Sequence, residues 1–577
     1  MINIKINGLE LKVKEGTTIL AAAKKLGIDI PTLCHFELEC FHFEFHTGSC
    51  RICVVEVEGR PNLAPACSTP VAEGMSIKTN SIKAINARRT VLDLLLSDHP
   101  KECLTCEKNG SCKLQSLAAE IGLHQVLYEG EMSEYKIELS NKSIARDMNK
   151  CIMCRRCEHV CSEVQTVGVL TGVNRGFQAN VGTVGEHDLS DTKCTYCGQC
   201  VNACPVGALT GINQIYDVWK VLNNPKKIVV VQTAPAVRVA IGEEFGMEPG
   251  DYSTGKLVSA LRALGFDKVF DTDFAADLTI MEETKELIDR VTKNKNLPIL
   301  TSCCPGWVKF IEHQFPDMLH VPSTAKSPQQ MFGAIAKSYY AQKIGVEPKD
   351  IIVVSVMPCL AKKYEADRTE FSNDGVPDVD YVITTRELAI MCKEAGVHFN
   401  NLEASEFDSP LGESTGAGVI FGATGGVLEA ALRTAADWIT GEDLQNIDFE
   451  AVRGMDETRE ATVKIGNLEL KVAVASGLGN ARKLLEKIQN KEASYHAIEI
   501  MACPGGCLNG GGQPYIDGDT SILEKRRQAL YKEDKSKLIR KSHQNPSIIK
   551  LYDEFLGQDE KLIHNLLHTT YKNRSDY

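Results

Sequence analysis

The chain opens with alternating apolar and polar residues. Ile2, Ile4 and Ile6 precede the tight-turn dipeptide Asn7-Gly8, and Leu9, Leu11 and Val13 follow it, a pattern that predicts a β-hairpin. Thr17-Thr18 then leads into ILAAAKKLGI, spaced as an amphipathic helix. From Cys103 to Cys204 long periodic segments are scarce, so metal clusters would have to supply much of the core there. After about residue 214, strand-like apolar runs such as KKIVVVQ and DIIVVSVM alternate with helix-like segments. That is an α/β pattern with at least partly parallel sheets.

A length of 577 residues implies several domains. The net charge of −12 argues against nucleic acid as a partner, because binding phosphate needs a basic face. No segment is long and apolar enough to span a bilayer. The start MINIKINGLELKV lacks the basic and apolar regions of an export signal. Of 22 cysteines, sixteen lie before residue 205 and six after. Without an export signal this density points to a cytoplasmic protein, where thiols bind metals rather than pair.

The cysteines fall into spaced sets. Cys151, Cys154, Cys157 and Cys161 form C-x2-C-x2-C-x3-C, and Cys194, Cys197, Cys200 and Cys204 repeat it before Pro205. Ser162 stands where the first copy would usually have proline. This is the run of bacterial two-cluster ferredoxins, in which the fourth cysteine crosses to the other cubane. Cys151, Cys154, Cys157 and Cys204 are expected to hold one [4Fe–4S], and Cys194, Cys197, Cys200 and Cys161 the other. His99, Cys103, Cys106 and Cys112 would suit zinc by their chemistry alone. Their place between other iron–sulfur motifs favours a third [4Fe–4S]. Cys34, Cys50, Cys53 and Cys67 follow a strand–strand–helix opening like that of plant-type ferredoxins and suit a [2Fe–2S]. Cys40 competes with Cys50 for one position; the close pair Cys50-x2-Cys53 favours Cys50. Phe41 to His46, FHFEFH, reads as an inserted loop with metal-competent histidines.

Three motifs remain: TSCCPGW (Thr301 to Trp307), MPCLAKKYE (Met357 to Glu365) and MACPGGCLNGGGQP (Met501 to Pro514). Each follows a strand-like run, and sites of α/β folds form at the carboxyl ends of strands. Their glycines allow the backbone close to a bulky group. Together these motifs resemble the three signatures of [FeFe]-hydrogenases, and the N-terminal cluster sets resemble that family's long clostridial form. The tail KSHQNPSIIKLYDEFLG extends the resemblance along essentially the whole chain.

The resemblance implies an H-cluster: a [4Fe–4S] cubane on Cys304, Cys359, Cys503 and Cys507, with Cys507 bridging to a two-iron unit. That unit carries CO, cyanide and a bridging azadithiolate. Lys362 would donate to cyanide, and Pro235, Ala236, Gln329, Met357, Phe421 and Met501 would line the pocket. Ala236 stands where some relatives have serine. Cys303 would be a free thiol shuttling protons. On their own, Glu283, Glu286 and Arg290 read as a solvated helix face with an i,i+4 pair. The resemblance instead makes Cys303, Glu283, Ser323 and Glu286 a proton path with Arg290 at its surface end. Cys392, on an apolar helix face, reads as core.

The expected architecture is multidomain α+β and α/β. It comprises a [2Fe–2S] β-grasp domain (1–82), a [4Fe–4S] domain with one histidine and three cysteine ligands (83–129), a two-[4Fe–4S] ferredoxin domain (130–213) and an H-cluster domain of two sheet-containing lobes (214–577). The expected function is reversible reduction of protons to H2 with electrons from ferredoxin, after maturation enzymes install the two-iron unit. Two alternatives are the catalytic subunit of an electron-bifurcating complex and a non-catalytic iron–sulfur relay or assembly protein. An intact MPCLAKK, Cys303 and GGGQP speak against the latter.

Overall fold

The structure, a computed structural model, describes residues 1–45, 48–557 and 559–575. At the N-terminus, strands Ile2–Ile6 and Leu9–Val13 pair antiparallel with Ile6 opposite Leu9. Asn7 and Gly8 take φ of 51° and 86° at the turn, the left-handed pair a two-residue hairpin requires. Ser76–Lys78 joins Ile2–Ile6 in parallel, and Val54–Val57 and Ala64–Pro65 complete a mixed five-stranded sheet. Helix Ile19–Lys25 packs Ile19, Ala22 and Ala23 into a core with Ile4, Ile6 and Val13, and the Thr18 hydroxyl caps it by accepting from Ala21 N at 3.2 Å.

The segment read as an inserted loop is a hairpin: Phe36–Leu38 pairs antiparallel with Phe43–Phe45 through a turn at Glu39–Phe41. Its alternation of Phe or Leu with Glu is a strand period, and its apolar face docks on the C-terminal half. Phe36, Leu38 and Phe41 share a core with Leu508, Leu523 and Leu530. His46 lies outside the described residues. The hairpin carries Cys40 away to the Thr520 hydroxyl, while Cys50 stays against Cys34, and Cys53 against Cys67.

Helices Ile82–Ser97 and Lys113–Ile121 flank the loop carrying Cys103, Cys106 and Cys112. In the ferredoxin-like unit beyond it, the two cysteine repeats fold alike. Met153 and Tyr196 have φ of 52° and 54°, and Arg155 and Gly198 have 62° and 76°. Short helices follow each, Arg156–His159 and Gln199–Ala203.

The C-terminal half holds two four-stranded sheets. In the first, Lys268–Asp271, Ile228–Thr233, Ile351–Met357 and Tyr381–Thr384 run parallel in that order. Both faces are covered, hence the nearly unbroken valine and isoleucine runs. The second has the order Ile299–Leu300, Ala497–Met501, Leu468–Ser476, Thr458–Ile465, with only the last strand antiparallel. Cys392 is fully buried in the core of the first sheet. The C-terminal tail is bolted on by buried bidentate pairs, Arg526 to Glu243 (2.7 and 2.7 Å) and Arg433 to Asp534 (2.8 and 2.9 Å). Among the described residues no helix is long and apolar enough to cross a membrane.

This placement predicts that Cys50→Ser abolishes the [2Fe–2S] paramagnetic resonance signal while Cys40→Ser leaves it intact; the opposite result would reassign the ligand.

Candidate active site

The three motif loops leave different sheets and meet at one place. TSCCPGW follows Ile299–Leu300 and MACPGGC follows Ala497–Met501, neighbours in the second sheet, whereas MPCLAKK follows Ile351–Met357 in the first. Between the sheets they enclose a cavity with about 770 Å³ unfilled by protein atoms. Cys303, Cys304, Cys359, Cys503, Cys507 and Lys362 line it. So do Pro235, Ala236, Gln329, Met357, Phe421 and Met501. Close backbone packing shapes the third loop: a Cβ on Gly510 would stand 2.2 Å from Pro358 O.

Burial raises every one of these thiols, and the thiols raise each other: Cys359 reaches about 12, and Cys503 lies well above the ordinary range. So many sulfurs in one dry cavity become stable thiolates only around a strongly cationic group, and their number exceeds what a single ion takes. The set fits an iron–sulfur centre. A wall atom, Gln329 Oε1, is also buried without a partner.

Lys362 is buried, and its ammonium donates to Cys303 O at 3.0 Å and to Glu365 Oε2 at 2.8 Å. Burial works against the charge, but Glu365 and Cys359 more than offset it and hold the lysine above its ordinary value. Glu365 also accepts from Ser327 Oγ (2.9 Å) and Gln329 Nε2 (3.0 Å). Sequence reasoning missed Glu365, although it sits at i+3 from Lys362 on helix Ala361–Ala366.

The ferredoxin-like repeats reach this cavity directly. Cys151, Cys154, Cys157 and Cys204 surround one small cavity, and Cys161, Cys194, Cys197 and Cys200 another. Cys197 lines both the latter and the main cavity, with its carbonyl 3.9 Å from Cys503 Sγ. A Cβ on Gly198 would stand 3.0 Å from Gly511 Cα, so the two loops touch backbone to backbone. Farther out, His99 Nδ1 is buried without a partner, Cys103 is exposed, and Cys106 Sγ abuts Gly207. Among the described residues no group of His, Cys, Asp or Glu is spaced to hold a single metal ion.

Beside the TSCCPGW loop, helix Thr272–Lys293 presents Glu283 and Glu286. Glu283 Oε1 lies 3.4 Å from both the N–H and the hydroxyl of Ser302, the residue before Cys303. Burial first, and then Glu286, push Glu283 up to about 8. Ser323 Oγ donates to Glu286 Oε2 at 2.9 Å and also faces Glu283. Burial, with Glu283 and Cys304 nearby, holds the Cys303 thiol protonated. Arg290 departs from expectation: it lies inside, not at the surface. Its side chain is only 9% exposed, and it donates to Glu286 (2.5 Å), Val321 O (2.6 Å), Asn296 O (3.0 Å) and Pro322 O (3.1 Å). A guanidinium so saturated clamps Glu286 and cannot pass a proton. Tyr571 of the tail, also missed, donates to Ser323 O beside this path.

Comparison with known proteins agrees with this geometry. "Iron only hydrogenase large subunit, C-terminal domain" matches residues 227–511 and "Iron hydrogenase small subunit" residues 520–574. A "2Fe-2S iron-sulfur cluster binding domain" matches 1–81, the "NADH-ubiquinone oxidoreductase-G iron-sulfur binding region" 88–126, and the "NADH-quinone oxidoreductase subunit 3, ferredoxin-like domain" 141–210. The chain is 60% identical to the NADP-reducing hydrogenase subunit HndD of Solidesulfovibrio fructosivorans, covering 100% of this chain and 99% of that one. It is 43% identical to iron hydrogenase 1 of Clostridium pasteurianum, over 99% and 100%. A solved apo form of [FeFe]-hydrogenase HydA1 from Chlamydomonas reinhardtii is 44% identical with a TM-score of 0.57, covering 63% of this chain and 99% of that one. Ferredoxin-like iron–sulfur domains wired to a cysteine-lined cavity, matched over the full length by iron hydrogenases, place this chain in the [FeFe]-hydrogenase family.

Proposed function

We propose that this chain interconverts protons and H2, 2H⁺ + 2e⁻ ⇌ H2, at an H-cluster whose cubane is held by Cys304, Cys359, Cys503 and Cys507, with Cys507 as the bridge. The observation that carries this reading is the single cavity where those four thiols meet Cys303 and Lys362. When bound, the H-cluster would supply the redox centre for reducing protons, with Cys304, Cys359, Cys503 and Cys507 holding it. One [2Fe–2S] on Cys34, Cys50, Cys53 and Cys67 and three accessory [4Fe–4S] clusters would carry electrons inward, the last against Cys503. The third accessory cluster, on His99, Cys103, Cys106 and Cys112, is supported by the match to an iron–sulfur binding region.

The chain's own residues bring the protons. Cys303 keeps its proton at physiological pH, so it delivers one to the cavity only as it takes another from Glu283. Glu283, near pKa 8, is mostly protonated at neutral pH yet can cycle through its carboxylate. Ser302 orients it, and Ser323 links it to Glu286. Lys362, anchored by Glu365, presents a fixed cation to anionic ligands of the cluster. Pro235, Ala236, Met357, Phe421 and Met501 keep bulk water out.

Ferredoxin is the electron partner that the cysteine wiring suggests. A second reading has its own support: 60% identity over the whole chain to a subunit of an NADP-reducing hydrogenase. In that reading this chain is the hydrogen-handling subunit, and nucleotide is reduced on a separate partner.

The matured chain alone is expected to evolve H2 from reduced viologen and from reduced ferredoxin. Evolution from viologen but not from ferredoxin would favour the complex, and no evolution from either would refute the enzyme. Cys303→Ala should lower turnover by about 10²–10⁴-fold, the span of general acid–base catalysis, with iron content and paramagnetic resonance signals unchanged. H2 evolution should fall as pH rises through about 8, because Glu283 then loses the proton it must hand on; Glu283→Gln should evolve little at any pH. A parent profile flat from pH 6 to 9 would remove Glu283 from the path.

A further inference from the structure

Arg290 cannot be the outer end of the proton path, so Glu286 needs another source. Its Oε2 accepts from Thr324 N at 3.0 Å and from Thr324 Oγ1 at 3.3 Å. Thr324 Oγ1 lies 2.9 Å from His568 Nδ1, and His568 Nε2 lies 3.1 Å from Glu282 Oε2. His568 belongs to the C-terminal tail, just after helix Glu560–Leu567, and its ring stacks on His564 at 5.6 Å. Both histidines, with Glu282 and Lys285, line a surface cavity of about 1190 Å³.

From this geometry we propose that His568 is the proton port of the path, loading Glu286 through the Thr324 hydroxyl. A carboxylate at Glu286 can only accept, and the Thr324 hydroxyl, which stands between it and His568 Nδ1, can give its one proton to either. Glu282 can likewise only accept, so Nε2 must donate to it. Burial would raise Glu282, but His568, Lys285 and Tyr552 hold it down to about 2, so it stays ionised. With protons on both ring nitrogens, Nδ1 can donate to Thr324 while Nε2 donates to Glu282. In transfer, Nδ1 gives its proton to Thr324 Oγ1 as the Thr324 hydroxyl proton passes to Glu286. The neutral ring then regains one proton from cavity water, and no electron moves. The other charged or titratable groups facing His568 are Lys285, Glu560, Lys561 and His564 on the cavity wall.

The proposal rests on the proton path above, and its test separates the two. In matured protein, nitrogen-15 NMR of the histidine rings should show the His568 Nδ1 signal moved by Thr324→Val, which removes the hydroxyl between the ring and Glu286. A His568 Nδ1 signal unmoved by Thr324→Val would overturn the port whatever the enzyme does. In matured protein, His568→Ala and His568→Gln should each slow H2 evolution roughly tenfold, less than a complete block because Glu286 is 16% exposed and water retains some access. Added imidazole should restore His568→Ala. Parent-like rates in both variants, or slow rates that imidazole does not restore at full iron content, would reduce His568 to a packing residue. Failure of the parent itself to evolve H2 would count against the hydrogenase reading and leave the NMR result standing.

Discussion

Everything in this chain depends on one contact, the meeting of the second ferredoxin-like loop with the glycine loop of the cavity. Gly198 and Gly511 touch through their backbones, and Cys197 shares a wall with Cys503. A side chain at either glycine would push apart the two cysteine shells between which electrons must pass. The join is held by Gln199 Nε2 and Asn202 Nδ2 on Asn509 O (3.0 and 3.2 Å) and by Arg386 on Gly511 O (2.6 Å). In the proposed reading electrons enter on that side of the cavity, and protons arrive along helix Thr272–Lys293.

The separation has an electrostatic logic. The electron side is built of buried sulfurs and glycine backbone. The proton side is a chain of carboxylates, hydroxyls and one histidine, each within reach of the next. Lys362 lines the cavity, and its pairing with Glu365 keeps a full positive charge buried there. Removing Glu365 would leave that buried charge without its carboxylate partner, so the acidic residue matters as much as the lysine.

The cysteine sets were legible because cluster chemistry dictates spacing over short stretches: Cys197 and Cys200, or Cys503 and Cys507, are neighbours along the chain. The strand-end position of the three signature loops was equally legible from their apolar runs. That they arise from two different sheets was not, since nothing local pairs Ile299–Leu300 with Ala497–Met501 rather than with Ile351–Met357. The hairpin at Phe36–Phe45 was missed because its partner surface lies in the C-terminal half. Arg290 was placed at the surface because an i,i+4 pair gives no sign that carbonyls of Val321 and Pro322 will close over it. His568 and Tyr571 could not be found at all by local reasoning. Their partners, Thr324 and Ser323, are more than 240 residues away along the chain.

The cavity lined by Cys304, Cys359, Cys503 and Cys507 is proposed to hold an H-cluster. An infrared spectrum of the anaerobically matured protein tests it most directly. Bands from iron-bound CO and cyanide are expected, and they should vanish in Cys507→Ser. A matured protein with full iron content and no such bands would contradict it.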